Sequence, residues 1–377
     1  MMTEASHAQQ PLQWAKDACR SIMETYTPAQ LPPEGRWHYH QGVFLYGMLR
    51  LWEETGEAEL FDYIKGYVDH LVDEHGNFLF DREELDAIQA GVLLFTLHKK
   101  TGDDRYKKAA DKLRHLFDTL NKTSEGGYWH KDKYPYQMWL DGLYMGGAFA
   151  VRYGWHYGEP DLYDMVLEQE RLMRSHTRDE ATGLYYHAWD ESRRTPWSDP
   201  ETGRAPEVWG RAMGWYGFAL ADFLTIIPEG YEGRDALIEV ERDLLTSLLK
   251  HQDQKTGMWY QVIDKGDRPD NWLETSCSAL YIFALAKAEG LGIGGDQFAE
   301  AAERGFKGLL EAMRRDDNGR FIMPEICIGT GVGDYEHYIK RPRCENDLHG
   351  VGAFVLACVE MDALRKRRTA GRETASV

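Results

Sequence analysis

Six stretches of this chain open on a polar or charged cluster and then stay apolar and rich in small residues for about four helical turns. They are HYHQGVFLYGMLRLW from His38, DAIQAGVLLFTLHKK from Asp86, LDGLYMGGAFAVRYG from Leu140, WGRAMGWYGFALADF from Trp209, ETSCSALYIFALAKA from Glu274 and NDLHGVGAFVLACVE from Asn346. Apolar residues fall on every face of these segments, which predicts helices buried on all sides. Segments of a second kind lie between them, such as DDRYKKAADKLRHLFDTL from Asp103 and GDQFAEAAERGFKGLLEAM from Gly295. Their apolar positions recur at i, i+3, i+4 and i+7, the period of a helix with one wet face.

Successive starts of the first kind are roughly 50 to 70 residues apart, the length of two helices and their loops. A shorter repeat accompanies them. Glycine precedes an aromatic in HGNF at His75, GGYW at Gly126, TGLYY at Thr182, TGMWY at Thr256 and NGRF at Asn318. Such a glycine supplies the positive φ of a tight turn, leading the chain back towards the next buried helix. Gly142, Gly146, Gly147, Gly214 and Gly217 lie inside the buried segments, at about 1 kcal/mol of helix propensity each. That cost is tolerable where backbones crowd around a common axis. The pattern predicts an all-α fold, an (α/α)6 barrel of alternating inner and outer helices, formed as one domain over residues 1–377 with a frayed tail after about 365. An open helical solenoid is the alternative, disfavoured because no capping helix is visible.

Composition narrows the function. The formal net charge of -18 argues against a nucleic-acid partner. An acidic surface also repels a polyuronate, so an anionic substrate must meet a local cluster of Arg, Lys and His. The load of 12 Trp and 21 Tyr serves core packing or stacking on sugar rings. No basic stretch followed by an apolar run marks a secretory signal at the start, and no segment has the length of a membrane helix. Five scattered cysteines without CxxC spacing read as reduced thiols in a cytoplasmic protein. HExxH and comparable ligand spacings are absent, as are GxSxG, Walker and dinucleotide motifs, so neither metal nor cofactor is expected.

If the inner helices run parallel, their N-termini share one end of the barrel, and polar groups at all six starts form a pocket with a polar rim. Asp141, in QMWLDGLYMGG, is the leading candidate for chemistry, with helix capping as the plainer role. A helix N-terminus lowers a carboxyl pKa; burial against Trp139 and a second carboxylate nearby would raise it. Asp86 holds the equivalent place one repeat earlier, and paired carboxylates with divergent pKa values suit acid–base work on a sugar. His130 and His187 each follow a Gly-aromatic turn, in GGYWHKDKYP and TGLYYHAWDES. Arg211, in the Trp-rich stretch VWGRAMGWY, must pair with an acid or present its fork to an anionic ligand. Trp215, one turn on, shares its face and offers a stacking wall.

WLDGLYMGG around Asp141, YHAWDES around His187, EVWGRAMGWYGFAL around Arg211 and HGVGAFVLA from His349 resemble the unsaturated rhamnogalacturonyl hydrolases of glycoside hydrolase family 105. The similarity runs from about Trp37 to Glu360 in motif order, and the WxRxxGW element is shared more loosely with the unsaturated glucuronyl hydrolases of family 88. The resemblance implies a substrate ending in a 4,5-unsaturated uronic acid and cleavage by hydration of its double bond, without a metal. It further implies that Asp141 is the proton donor and the base for water, that Asp86 is the second acid, and that His187, Arg211 and Trp215 touch substrate, as more loosely do Tyr39 and the loop from His130 to Tyr134. The alternatives are a conventional inverting glycosidase, a sugar epimerase on the same barrel, and a non-catalytic carbohydrate-binding helical protein.

Overall fold

A computed structural model describes residues 10–79 and 82–375. Residues 1–9, on which the reading of no secretory signal partly rests, lie outside the described residues.

Among the described residues, twelve helical layers alternate along the chain. The outer helices are α1 (Pro11–Thr25), α3 (Ala58–Leu71), α6 (Asp104–Thr119), α8 (Asp161–Thr177), α10 (Arg234–Leu249) and α12 (Asp296–Ala312). The inner helices are α2 (Tyr39–Thr55), the broken pair α4 (Leu85–Gln89) and α5 (Val92–Thr101), α7 (Leu140–Tyr157), α9 (Gly210–Phe223), α11 (Thr275–Gly290) and α14 (Leu348–Ala375). Each inner helix packs on the next, and α14 returns to α2. The ring is closed, so the barrel holds and the open solenoid does not.

The two helix types divide as their patterns require. Every residue of α9 is buried. In α12 the buried set Phe298, Ala301, Ala302, Gly305, Phe306 and Leu309 forms one stripe, facing the core. Closure depends on close backbone approach between α14 and α2. A Cβ on Gly352 would come within 2.6 Å of the Phe44 nitrogen, so only glycine fits that seam. The second inner layer is split where Gly91 and Leu94 donate to Ile88 and Gly91 in tighter i to i+3 bonds. A side chain at Gly91 would collide with Leu113 and Phe149, which explains the glycine that weakens the helix there.

The Gly-aromatic repeat is a structural repeat. Gly76, Gly126, Gly183, Gly257 and Gly319 all have φ between 73° and 95°. After four of these turns the chain pairs back antiparallel on the segment before it, Phe78 with Val72, Tyr128 with Lys122, Tyr185 with Arg178 and Ile322 with Arg314. Helix α14 continues past residue 365, where fraying was expected. Arg365, Arg367 and Arg368 there pair with Glu303, Glu289 and Asp296, tying the helix to α11 and α12. At the C-terminal end of the inner helices, Arg152 forks onto Asp222 at 2.7 and 2.8 Å, joining α7 to α9.

Glu241 in α10 is 0% exposed, and neither carboxylate oxygen has a hydrogen-bond partner. Burial pushes its carboxyl well above the usual carboxylate range. A folded-state pKa above the unfolded one contributes stability that is full below the unfolded pKa and is lost as pH rises. Glu241→Leu is therefore expected to raise stability by about 1–3 kcal/mol at neutral pH and by less at pH 5, read from urea midpoints at the two pH values.

Candidate active site

The inner helices all start at one end of the barrel, and there they surround a cavity of about 330 Å³. This is the volume of a small ligand pocket. Tyr39 opens α2, Asp86 and Asp141 are second residues of α4 and α7, and Arg211 is second in α9. A two-stranded ribbon of β1 (Gln137–Trp139) and β2 (Ala188–Asp190) stands beside α7, with Trp139 paired to Ala188. The Leu140 amide donates to the His187 carbonyl at 3.0 Å, which fixes Asp141 against His187. A strap spanning β3 (Ile326–Cys327), α13 (Tyr335–Ile339) and β4 (Arg343–Cys344) lies across the mouth.

Tyr39, Asp86, His130, Tyr134, Asp141 and Arg211 all line the cavity, as do Lys131, Lys133, Trp139 and Arg341. His187 and Trp215 do not. His187 is 0% exposed and stands behind Asp141, its Nε2 3.2 Å from Oδ2 with alignment short of a full hydrogen bond. Trp215 is one helical turn deeper than Arg211, below Tyr39, and stacks on Tyr144 at 5.1 Å. Trp139 edges the cavity but is sandwiched between the stacked rings of His130 at 4.3 Å and Tyr134 at 4.7 Å, so it does not supply the expected stacking wall.

The two carboxylates have different surroundings. Asp86 is 3% exposed; burial works against its charge, but Lys131, His130 and His38 overcome this and hold its carboxyl far below the usual range. The Lys131 ammonium bonds it directly and also reaches Glu84 at 3.4 Å. For Asp141, burial again acts upward, while His187 and His130 hold it below the usual value. The expected upward push from a neighbouring acid is therefore absent, because Lys131 has already neutralised Asp86. Burial lowers His130 to about 4 and His40 to about 3, so both imidazoles are neutral at pH 7.

Arg211 combines the two roles expected of it. Its guanidinium donates to the carbonyls of Cys327 and, at 2.9 Å, Ile328, lies 3.8 Å from Glu274 and stacks over Trp209. It thus anchors the strap while still edging the cavity. Glu84 was not singled out from sequence, and Lys131 entered only as part of the loop from His130 to Tyr134. A buried Asp86 demands a counter-charge, which was the available signal for Lys131. Arg341 arrives on the strap and has no local pattern.

Among the described residues, two clusters have donor atoms within 4.8 Å of one another, His40 with Asp347 and His349, and His38 with Glu84 and Asp86. Lys131 already supplies the cation of the second. In the first, Asp347 is bonded to His349 Nδ1 at 2.8 Å.

A closed ring of paired helices with a carboxyl-bearing, cation-lined pocket at one mouth is a sugar-processing architecture, that of a glycoside hydrolase. The profile of Glycosyl Hydrolase Family 88 matches residues 14–365, and the chain belongs to that family. A family 105 glycoside hydrolase from C. acetobutylicum ATCC 824 has the same structure at a TM-score of 0.88 and 36% identity, over 93% of this chain and 99% of the other. The chain is 28% identical over 318 residues to the unsaturated rhamnogalacturonyl hydrolase YesR of Bacillus subtilis (strain 168), covering 83% of this chain and 85% of that one. The unsaturated glucuronyl hydrolase from Bacillus sp. GL1 has the same fold at a TM-score of 0.72 and 14% identity, over 94% and 97% of the two chains. Among the described residues, no helix is long and apolar enough to cross a membrane.

Lys131→Ala leaves the Asp86 charge buried and uncompensated. A stability loss of about 3 kcal/mol at pH 7 is expected in urea unfolding. The depressed Asp86 pKa adds stability above the unfolded carboxyl pKa and loses it as pH falls. The deficit of the variant should accordingly shrink towards pH 4, as Asp86 takes up a proton there.

Proposed function

We propose that this glycoside hydrolase releases a 4,5-unsaturated uronic acid from the non-reducing end of oligosaccharides derived from pectin, of the rhamnogalacturonan type. The observation that carries the reading is the pairing, in one small cavity, of a buried carboxyl, Asp141, with a cationic wall of Lys131, Arg211 and Arg341. In a protein of net charge -18, such a wall makes sense where the ligand is an anion. The kinship with the YesR hydrolase supplies the unsaturated uronate as that anion.

On this reading Asp141 gives its proton to C4 of the vinyl ether, and positive charge develops at C5 and is shared with the ring oxygen. Water adds at C5 and returns a proton to the Asp141 carboxylate. The resulting hemiketal opens to the C5 ketone, and the hemiacetal left at C1 collapses and expels the aglycone. The proton inventory balances, and one carboxyl serves both steps. In the empty site His187 holds Asp141 low. A bound uronate carboxylate and the water it displaces both favour the protonated form, which prepares the acid when substrate is present. Asp86 remains ionised and holds Lys131 and His130 in the wall. Tyr39 and Tyr134 offer hydroxyls to the sugar. His187 acts through Asp141, and Trp215 supports Tyr39 from beneath. The chemistry uses no metal or cofactor. The unpaired cysteines, four of them buried, support a reducing, cytoplasmic setting.

The conjugated enol ether absorbs in the ultraviolet, and its loss reports hydration. Lyase-treated rhamnogalacturonan should lose that absorbance with the wild-type protein, and saturated uronides should remain intact. Asp141→Asn is expected to lower kcat by a factor of at least about 1,000 while substrate still binds by calorimetry. Retained turnover in that variant would remove Asp141 from its role.

A further inference from the structure

Tyr338 belongs to α13 on the strap and is 0% exposed. Its hydroxyl is 2.7 Å from Nδ1 of His187 and accepts the Gly333 amide at 3.3 Å. A phenol has a single proton to donate. Among the described residues, the one acceptor within hydrogen-bond reach of that proton is His187 Nδ1. If Nδ1 carried the imidazole proton instead, the phenol O–H would be buried without an acceptor, an arrangement folded proteins avoid.

We infer that Tyr338 is a positioning residue that locks His187 in its Nε2–H tautomer and thereby orients the Asp141 carboxyl. With the proton on Nε2, an N–H faces Asp141 Oδ2 at 3.2 Å. Oδ2 is sealed from solvent, so the carboxyl presents Oδ1 to the cavity. The opposite tautomer would turn a lone pair on a carboxylate, driving the carboxyl out of place or into taking up a proton.

The rings that make this contact are held rigidly. Trp209 packs on both, at 5.8 Å from Tyr338 and 4.7 Å from His187. Gln261 accepts from Trp209 Nε1 through its side-chain oxygen and donates to the Tyr338 carbonyl, both at 3.1 Å. The strap that carries Tyr338 is the one Arg211 anchors at Cys327 and Ile328. Order in the strap is thus transmitted to the catalytic carboxyl. The charged and titratable groups facing Asp141 are His187 beside β2, His130 on the loop before β1, Arg211 on α9, Tyr39 on α2 and Tyr338 itself.

The catalytic part of this inference rests on the reading of Asp141 as the proton donor; the tautomer does not. Tyr338→Phe keeps the ring against Trp209 and removes only the hydroxyl. Nitrogen-15 NMR of histidine-labelled protein should show wild-type His187 as the Nε2–H form and the variant shifted to a mixture or to Nδ1–H. In the ultraviolet assay the variant should lose about ten- to a hundredfold in kcat with KM little changed, and its alkaline limb should move to higher pH. In a His187→Ala background the same substitution should cost less than about twofold more. An unchanged tautomer and pH limb, or full multiplication of the two losses in the double variant, overturns the inference. Absence of turnover on every unsaturated uronide defeats the functional reading, and the NMR result still decides the tautomer.

Discussion

Closure of the ring through parallel inner helices is the constraint on which the rest of this molecule depends. Parallel packing puts all six inner N-termini, with the positive ends of their helix dipoles, at one mouth. In a chain of net charge -18, that mouth gathers Lys131, Arg211 and Arg341. That packing requires backbones to meet at van der Waals contact, most tightly where Gly352 lies on Phe44 of the first inner helix. Glycines that weaken single helices are what allow the ring to close.

Within the mouth, the electrostatics separate two carboxylates that the repeat makes look alike. Asp86 has its charge cancelled by Lys131 and sits beside the neutral imidazole of His130. It acts as a fixed anion that keeps a lysine in a buried wall. Among the described residues no lysine or arginine is bonded to Asp141; burial raises its carboxyl while His187 and His130 hold it below the usual value. A group whose charge state responds to the ligand is suited to both giving and taking a proton. One whose charge is already compensated is not.

The strap adds a second layer of control. It is tied down by Arg211 from one inner helix and delivers Tyr338 to His187 on the ribbon. Residues from the last quarter of the chain therefore bear on a carboxyl in its first half. Arg211, read from sequence as a clamp for substrate, serves the strap with two of its nitrogens and still edges the pocket. Its aromatic surroundings are what make such dense use of one guanidinium stable.

Sequence alone determined the helix types, their six-fold alternation, the positive-φ turns at Gly76, Gly126, Gly183, Gly257 and Gly319, and the place of Asp86 and Asp141 at the starts of inner helices, since all of these follow from local periodicity repeated along the chain. Position within a repeat predicts which end of the barrel a residue occupies. It does not predict depth, and so Trp215 and His187 were expected in the pocket while the structure sets them behind Tyr39 and Asp141. Nor does it predict partners that arrive from distant elements. The pairing of Lys131 with Asp86, the carbonyls that hold Arg211 and the phenol that meets His187 were decided by tertiary structure alone, because charge and hydrogen bonding depend on distance in space, which periodicity leaves open.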